Sequence, residues 1–180
     1  MGKGIIIDKN GGVIWLYGIS GAGKTTISKL LKEQLTEAGN LSIILDGDEL
    51  RSGINNDLSF TQADRSENIR RVAEMAKLLA KNNILVICAL ITPLQEHRAL
   101  ARKIINENFY EIFINCPLEV CESRDVKGLY KLSRAKKIEN FTGIDSGFEY
   151  ANHADLVLLT ADSTPQASTQ ILYNFLLTQF

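Results

Sequence analysis

The sequence predicts a three-layer α/β/α fold around a five-stranded parallel sheet. Three observations predict it: short runs rich in Ile, Val and Leu recur along the chain, stretches with helical apolar spacing separate them, and a glycine-rich turn directly follows the first run. The runs are short and apolar at nearly every position. Strands of that kind are buried on both faces, so helices must lie above and below the sheet.

The first strand is predicted over 13–17. A helix over 24–38 follows, with Ile27, Leu30, Leu31 and Leu35 on one face and Gly39 in the C′ position. The second strand covers 42–45. Next, Thr61-Gln62-Ala63-Asp64 reads as a capping-box variant opening a helix whose apolar side is Ile69, Val72, Ala73, Ala76 and Leu79. Strands follow over 84–91, 111–115 and 156–159, and Pro117 and Pro165 sit where the first turns of later helices start. The irregular stretch 124–152, with Gly128, Gly143 and Gly147, reads as a lid segment within a single domain spanning 1–180.

Composition removes several classes. Twenty Lys and Arg against twenty-one Asp and Glu give a net charge of −1, so no global field holds nucleic acid or anionic lipid. Any bound anion needs a local site. Cys88, Cys116 and Cys121 are too few for a disulfide framework and lack the paired spacing of a zinc site. The longest apolar run, 84–91, is far shorter than the roughly 18 residues a membrane span requires. The N-terminus has no signal-peptide pattern, and Gly2 lacks the downstream Ser or Thr of a myristoylation motif. A cytoplasmic location follows as the expectation.

Directly after the first strand stands Gly18-Ile19-Ser20-Gly21-Ala22-Gly23-Lys24-Thr25-Thr26, a complete G-x-x-x-x-G-K-[ST] motif. Its glycines let backbone N–H groups and a helix N-terminus converge on a β-phosphate, Lys24 adds charge for the β- and γ-phosphates, and the Thr25 hydroxyl suits Mg²⁺. Chance supplies such a match roughly once per 150 chains of this length. Its place between a strand and a helix makes chance the weaker explanation, and the fold class becomes that of a P-loop NTPase.

The second strand ends in Asp46-Gly47-Asp48-Glu49-Leu50-Arg51, where open α/β sheets place ligands. A carboxylate there can hold Mg²⁺ or orient an acceptor hydroxyl, and Arg51 offers a fork to phosphate or sulfate. Phe60 can stack on a base, and Arg65 and Asn68 share one face of the following helix. Arg70 and Arg71 read as a solvated face. The lid segment carries Arg124, Lys127, Lys131, Arg134, Lys136 and Lys137, with Phe141 after them. Cations closing over a polyphosphate would exclude water, and hydrolysis is the reaction a kinase must suppress.

These motifs resemble the adenylylsulfate kinase family of small P-loop kinases. The resemblance covers roughly 13–160. It rests on Val13-Ile14-Trp15-Leu16 leading into the P-loop, Asp46-Gly47-Asp48 through Arg51, and Asp64-Arg65-Ser66-Glu67-Asn68-Ile69-Arg70-Arg71. It continues through Pro117-Leu118-Glu119-Val120-Cys121-Glu122, Arg124-Asp125-Val126-Lys127-Gly128-Leu129-Tyr130-Lys131 and Asn140-Phe141-Thr142-Gly143-Ile144-Asp145. The last two are more diagnostic than the P-loop, which many folds share.

The resemblance implies transfer of the ATP γ-phosphate to the 3′-hydroxyl of adenylyl sulfate, with Mg²⁺, in a homodimer. It implies that Gly18, Ser20, Gly21, Ala22, Gly23, Lys24, Thr25, Thr26 and Arg124 bind ATP. Arg51, Phe60, Arg65, Asn68, Ile91, Thr92, Lys127 and Phe141 would line the acceptor site, with Phe60 and Phe141 sandwiching adenine. Asp48 would orient or deprotonate the 3′-hydroxyl, Lys24 would act on the transferred group, and Thr25 and Asp46 would support the metal. Two positions depart from the family. Thr92 stands where many members carry a phosphorylatable Ser, which implies direct in-line transfer, and Tyr17 stands where Thr is common.

Two other functions fit parts of the pattern. A kinase of another 5′-capped nucleotide, such as cytidine diphosphoramidate, would share the chemistry, although the Phe60 and Phe141 pair suits a purine. A nucleotide-binding regulatory module without catalysis has no need of both Lys24 and Asp48.

Overall fold

The computed structural model describes residues 11–150 and 153–180. The expectations for the N-terminus and the last two residues of the lid segment lie outside the described residues. Five strands, β1 (Gly12–Tyr17), β2 (Ser42–Asp46), β3 (Leu85–Leu90), β4 (Phe109–Asn115) and β5 (Leu156–Leu159), form one sheet in the order β2-β3-β1-β4-β5. Every pairing is parallel, with Tyr17 beside Leu90 on one flank and Phe113 on the other. Each parallel step needs a helical crossover. The crossovers contain α1 (Lys24–Glu37), α2 (Gly47–Ser52), α3 (Gln62–Ala80), α4 (Gln95–Ile105), α5 (Leu118–Arg124) and α6 (Leu129–Arg134), and α7 (Pro165–Gln179) follows β5.

Alternation along β1 builds the two halves of the core. Ile14 and Leu16 face α1 and α7, packing with Ile27, Leu31, Leu35, Leu172 and Leu176. Val13, Trp15 and Tyr17 face the other way and pack with Ile69, Val72, Ala76, Ala101 and Ile105 of α3 and α4. These five of the six β1 residues are fully buried. Burying each large aliphatic side chain contributes about 1.5–3 kcal/mol, so a polar residue anywhere on this strand would be strongly destabilising.

The ends differ from expectation for local reasons. β3 is one residue shorter at each end: Ile84 N–H donates to Leu79 O to close the end of α3, and Thr92 beyond Ile91 turns into the left-handed region at φ 45°. Pro117 is the residue just outside α5, whereas Pro165 opens α7. Thr61 caps α3 by accepting from Asp64 N–H at 3.2 Å, and the Asp64 carboxylate in turn accepts from the Thr61 hydroxyl at 2.9 Å and from Ser59 N–H at 3.2 Å rather than from the Thr61 backbone N–H. The lid segment is folded against the sheet. Tyr130 is buried within it, and Asp125 caps α6 by accepting from the N–H groups of Tyr130 and Lys131 at 3.0 Å each.

Candidate active site

The carboxyl end of β1 delivers the chain into the phosphate loop. Gly18 has φ 153°, and a Cβ there would stand 2.4 Å from Ile114 O, so only glycine lets the loop pass β4. α1 begins without a side-chain cap and without an acidic residue in its first turn, which leaves its N-terminal dipole open to an anion. Lys24 folds back over the loop, its Nζ donating to Gly18 O and Ile19 O at 2.8 Å each. Desolvation lowers its pKa to about 8, partly opposed by the charge of Asp48.

β2 supplies the acidic side. Asp46 is buried; its Oδ2 accepts from Thr25 Oγ1 at 2.8 Å, and its Oδ1 accepts from Asp48 N–H at 2.9 Å. The second bond caps α2, a short helix the sequence reading lacked. Thr25 and Asp46 therefore form a hard-oxygen pair beside the phosphate loop, a donor set that fits Mg²⁺ when phosphate oxygens and water complete its shell. Among the described residues no cluster of three or more His, Cys, Asp or Glu offers a different metal site. Asp48 is exposed and ion-paired with Lys127 of the lid segment. A cavity of about 340 Å³ runs beside Thr25, Asp46, Asp48 and Lys127. A larger open hollow of about 410 Å³, bounded by Gln62, Leu94 and Glu149, contains none of these residues.

Across the cleft, Phe60 is 52% exposed, with the Arg51 guanidinium 4.4 Å and the Arg65 guanidinium 5.6 Å from its ring centre. Arg51 donates to Ser59 O at 2.9 Å, and Arg65 donates to Phe60 O at 3.1 Å and to Asn140 O at 2.6 Å. That last bond joins α3 to the residue before Phe141, whose ring meets Tyr130 edge-on at 4.9 Å. Arg51, Phe60, Arg65 and Phe141 thus belong to one linked group. Asn68 is buried, with Oδ1 accepting from Asn55 Nδ2 at 2.9 Å.

Other candidates lie elsewhere. Ile91 O accepts from Gly18 N–H at 3.3 Å, which puts that residue against the phosphate loop. Thr92 is 2% exposed and its hydroxyl accepts from Trp15 Nε1 at 3.0 Å, so its side chain is engaged in the core rather than in the cleft. Arg124 lies behind the loop, donating to Gly21 O at 3.4 Å and Thr160 O at 2.7 Å. Tyr17 stacks on Phe113 at 5.1 Å beneath the site, and burial raises its phenol pKa.

The family model for adenylylsulphate kinase matches residues 10–159. The chain belongs to the adenylylsulphate kinase family. An adenylyl-sulfate kinase of Paraburkholderia xenovorans is 52% identical over 150 residues, covering 83% of this chain and 84% of that protein. One from Clostridium acetobutylicum is 44% identical over 171 residues, covering 95% and 86%. The structure of the Mycobacterium tuberculosis APS kinase CysC in complex with AMPPNP and APS superposes with a TM-score of 0.90 at 44% identity, covering 93% of this chain and 98% of that one.

Two features of this adenylylsulphate kinase family member escape the sequence reading. Arg71 is not merely solvated: it forms a bidentate pair with Asp57 at 2.7 and 2.8 Å, and its Nε bonds Glu67 at 2.9 Å. It thereby ties α3 to the loop that leads to Phe60. Tyr130 donates its hydroxyl to Ser20 O at 2.8 Å, linking the lid segment to the phosphate loop. Tyr130 lies within the Arg124–Lys131 motif, but nothing in the sequence marks its partner 110 residues away.

Proposed function

We propose that the chain transfers the γ-phosphoryl group of ATP to the 3′-hydroxyl of adenosine 5′-phosphosulfate, giving 3′-phosphoadenosine 5′-phosphosulfate and ADP. One observation carries the reading: Asp46 bonds the phosphate-loop Thr25, while Asp48, two residues along, meets Lys127 from the lid segment. Donor and acceptor machinery therefore share the carboxyl end of β2.

The phosphate loop and the α1 N-terminus bind the ATP phosphates, with Gly18, Ser20, Gly21, Ala22, Gly23 and Thr26 lining the turn and Arg124 closing it from behind. Lys24 turns from its carbonyl partners to the β- and γ-phosphates. Thr25 and Asp46 would hold Mg²⁺, which neutralises phosphate charge when bound. Phe60 and Phe141 take the two faces of the acceptor adenine, while Arg51, Arg65, Asn68, Ile91 and Lys127 surround its sulfated end and ribose. As the 3′-oxygen attacks phosphorus in line, its proton passes to Asp48 and the bond from phosphorus to the β–γ bridging oxygen breaks, releasing ADP. Tyr130 and the Asp48–Lys127 pair keep the lid segment over the cleft, excluding water as competing acceptor. Thr92, buried against Trp15, takes no phosphoryl group in this scheme.

Three further parts of the reading have their own support. The Thr25 and Asp46 oxygens favour Mg²⁺, exposed Val157 and Leu159 on the edge strand β5 favour a homodimer, and three free cysteines favour a reducing cytoplasm. A coupled ADP-release assay with ATP and Mg²⁺ tests the activity. Turnover with adenylyl sulfate should far exceed turnover with AMP and with cytidine diphosphoramidate. Equal rates with AMP would remove the sulfated nucleotide as acceptor.

A further inference from the structure

We propose that Arg98 is a positioning residue for the acceptor nucleotide, acting by holding the strained turn Ile91-Thr92-Pro93. The inference rests on the reading above that the acceptor lies against Ile91. Thr92 has φ 45°. A β-branched residue in that region costs about 1–3 kcal/mol and persists only where its surroundings over-determine it.

The surroundings do so from three sides. Trp15 Nε1 donates to Thr92 Oγ1 at 3.0 Å, fixing the side chain. Arg98 Nη1 donates to Thr92 O at 3.2 Å and to Pro93 O at 3.3 Å, fixing the backbone on both sides of the Thr92–Pro93 peptide bond. Gly18 N–H donates to Ile91 O at 3.3 Å, and Glu149 N–H from the lid segment donates to Pro93 O at 2.9 Å. The turn therefore touches the phosphate loop, the core and the lid segment at once.

Arg98 is an unusual residue to find at this depth. It is 3% exposed, its Nε faces Glu111 at 3.4 Å, and its guanidinium lies 4.9 Å from the centre of the Tyr17 ring. Glu111, itself 7% exposed, is shared with Arg102 at 3.5 Å. A buried ion pair of this kind is weak evidence for stability, because well-packed apolar residues often serve as well. What apolar residues lack is the planar fork of Arg98, one arm neutralised by Glu111 while the other meets two carbonyls. The Tyr17 ring gives that fork a flat floor, an occupation that the small Thr common in the family would leave unfilled.

Steady-state kinetics with both substrates varied, together with melting curves, provide the test. Arg98→Lys keeps a charge opposite Glu111 but loses the second arm. It should raise KM for adenylyl sulfate about tenfold, with KM for ATP within about twofold and kcat within about threefold. Arg102→Lys perturbs the same Glu111 network without touching the turn and should leave both KM values within about twofold. An unchanged acceptor KM in folded Arg98→Lys, equal rises for both substrates, or the same effect from Arg102→Lys would overturn the inference. Should Arg98→Lys not fold, Trp15→Phe releases the turn from its other side and must show the same split, or the inference fails. Wild-type turnover no faster with adenylyl sulfate than with AMP would instead remove the functional reading and the inference with it.

Discussion

The proposed reaction requires Lys24 to occupy two environments in one catalytic cycle. Without phosphates its ammonium rests on two loop carbonyls, and burial lowers its pKa to about 8. Bound triphosphate stabilises the charged form and raises that pKa again, so binding near pH 8 must take up a fraction of a proton. ATP affinity should therefore be flat below about pH 7.5 and fall as pH rises through and above about 8. Calorimetry in buffers of different ionisation enthalpy reads the proton uptake directly, and release of protons at pH 8 would contradict the assignment. Lys24→Ala should cost about 3 kcal/mol of transition-state stabilisation, on the order of a hundredfold in kcat. Arg65→Ala removes the bond to Asn140 O and one flank of Phe60, so KM for adenylyl sulfate should rise more than KM for ATP in two-substrate kinetics. Equal effects on both would place Arg65 outside the acceptor pocket.

At the scale of elements, α3 does two jobs. Its apolar face fills the core beneath β1 and β3, and its polar face holds the loop 53–60 through Asn68, Arg71 and the cap at Thr61. Arg71→Ala should therefore loosen the Phe60 loop and raise acceptor KM severalfold with little change in ATP binding, as the same kinetics would show. Much of this was legible in the sequence. The β1-to-α1 turn announces itself because phosphate binding demands glycine, lysine and threonine at fixed spacing, and the α3 cap because Thr61 and Asp64 are neighbours in the chain. What escaped was non-local. Arg71 pairs with Asp57 and Arg98 with Glu111 across separations that carry no periodic signal, and Thr92 reads as an ordinary residue until its φ of 45° is known. The short helix α2 escaped because Gly47 has weak helix propensity, and it forms where Asp46 can cap it.

For the whole molecule, the sheet order places β1, β3 and β2 side by side, so that the phosphate loop, the Thr92 turn and Asp46 emerge at one edge. Tyr130, Lys127 and Glu149 each meet a different part of that edge, at Ser20, Asp48 and Pro93. Tyr130→Phe deletes one neutral hydrogen bond, about 1 kcal/mol. Acceptor-independent ATP hydrolysis should rise a few-fold, measured as inorganic phosphate release; an unchanged rate would show that this bond does not govern water exclusion. The proposed reaction requires that the transferred group land on the 3′-oxygen of the sulfated nucleotide. Phosphorus NMR of the product formed from ATP and adenylyl sulfate decides this most directly. A new monoester resonance coupled to the ribose 3′-proton is the predicted result, and phosphate found only as the inorganic ion, or on any other oxygen, would contradict it.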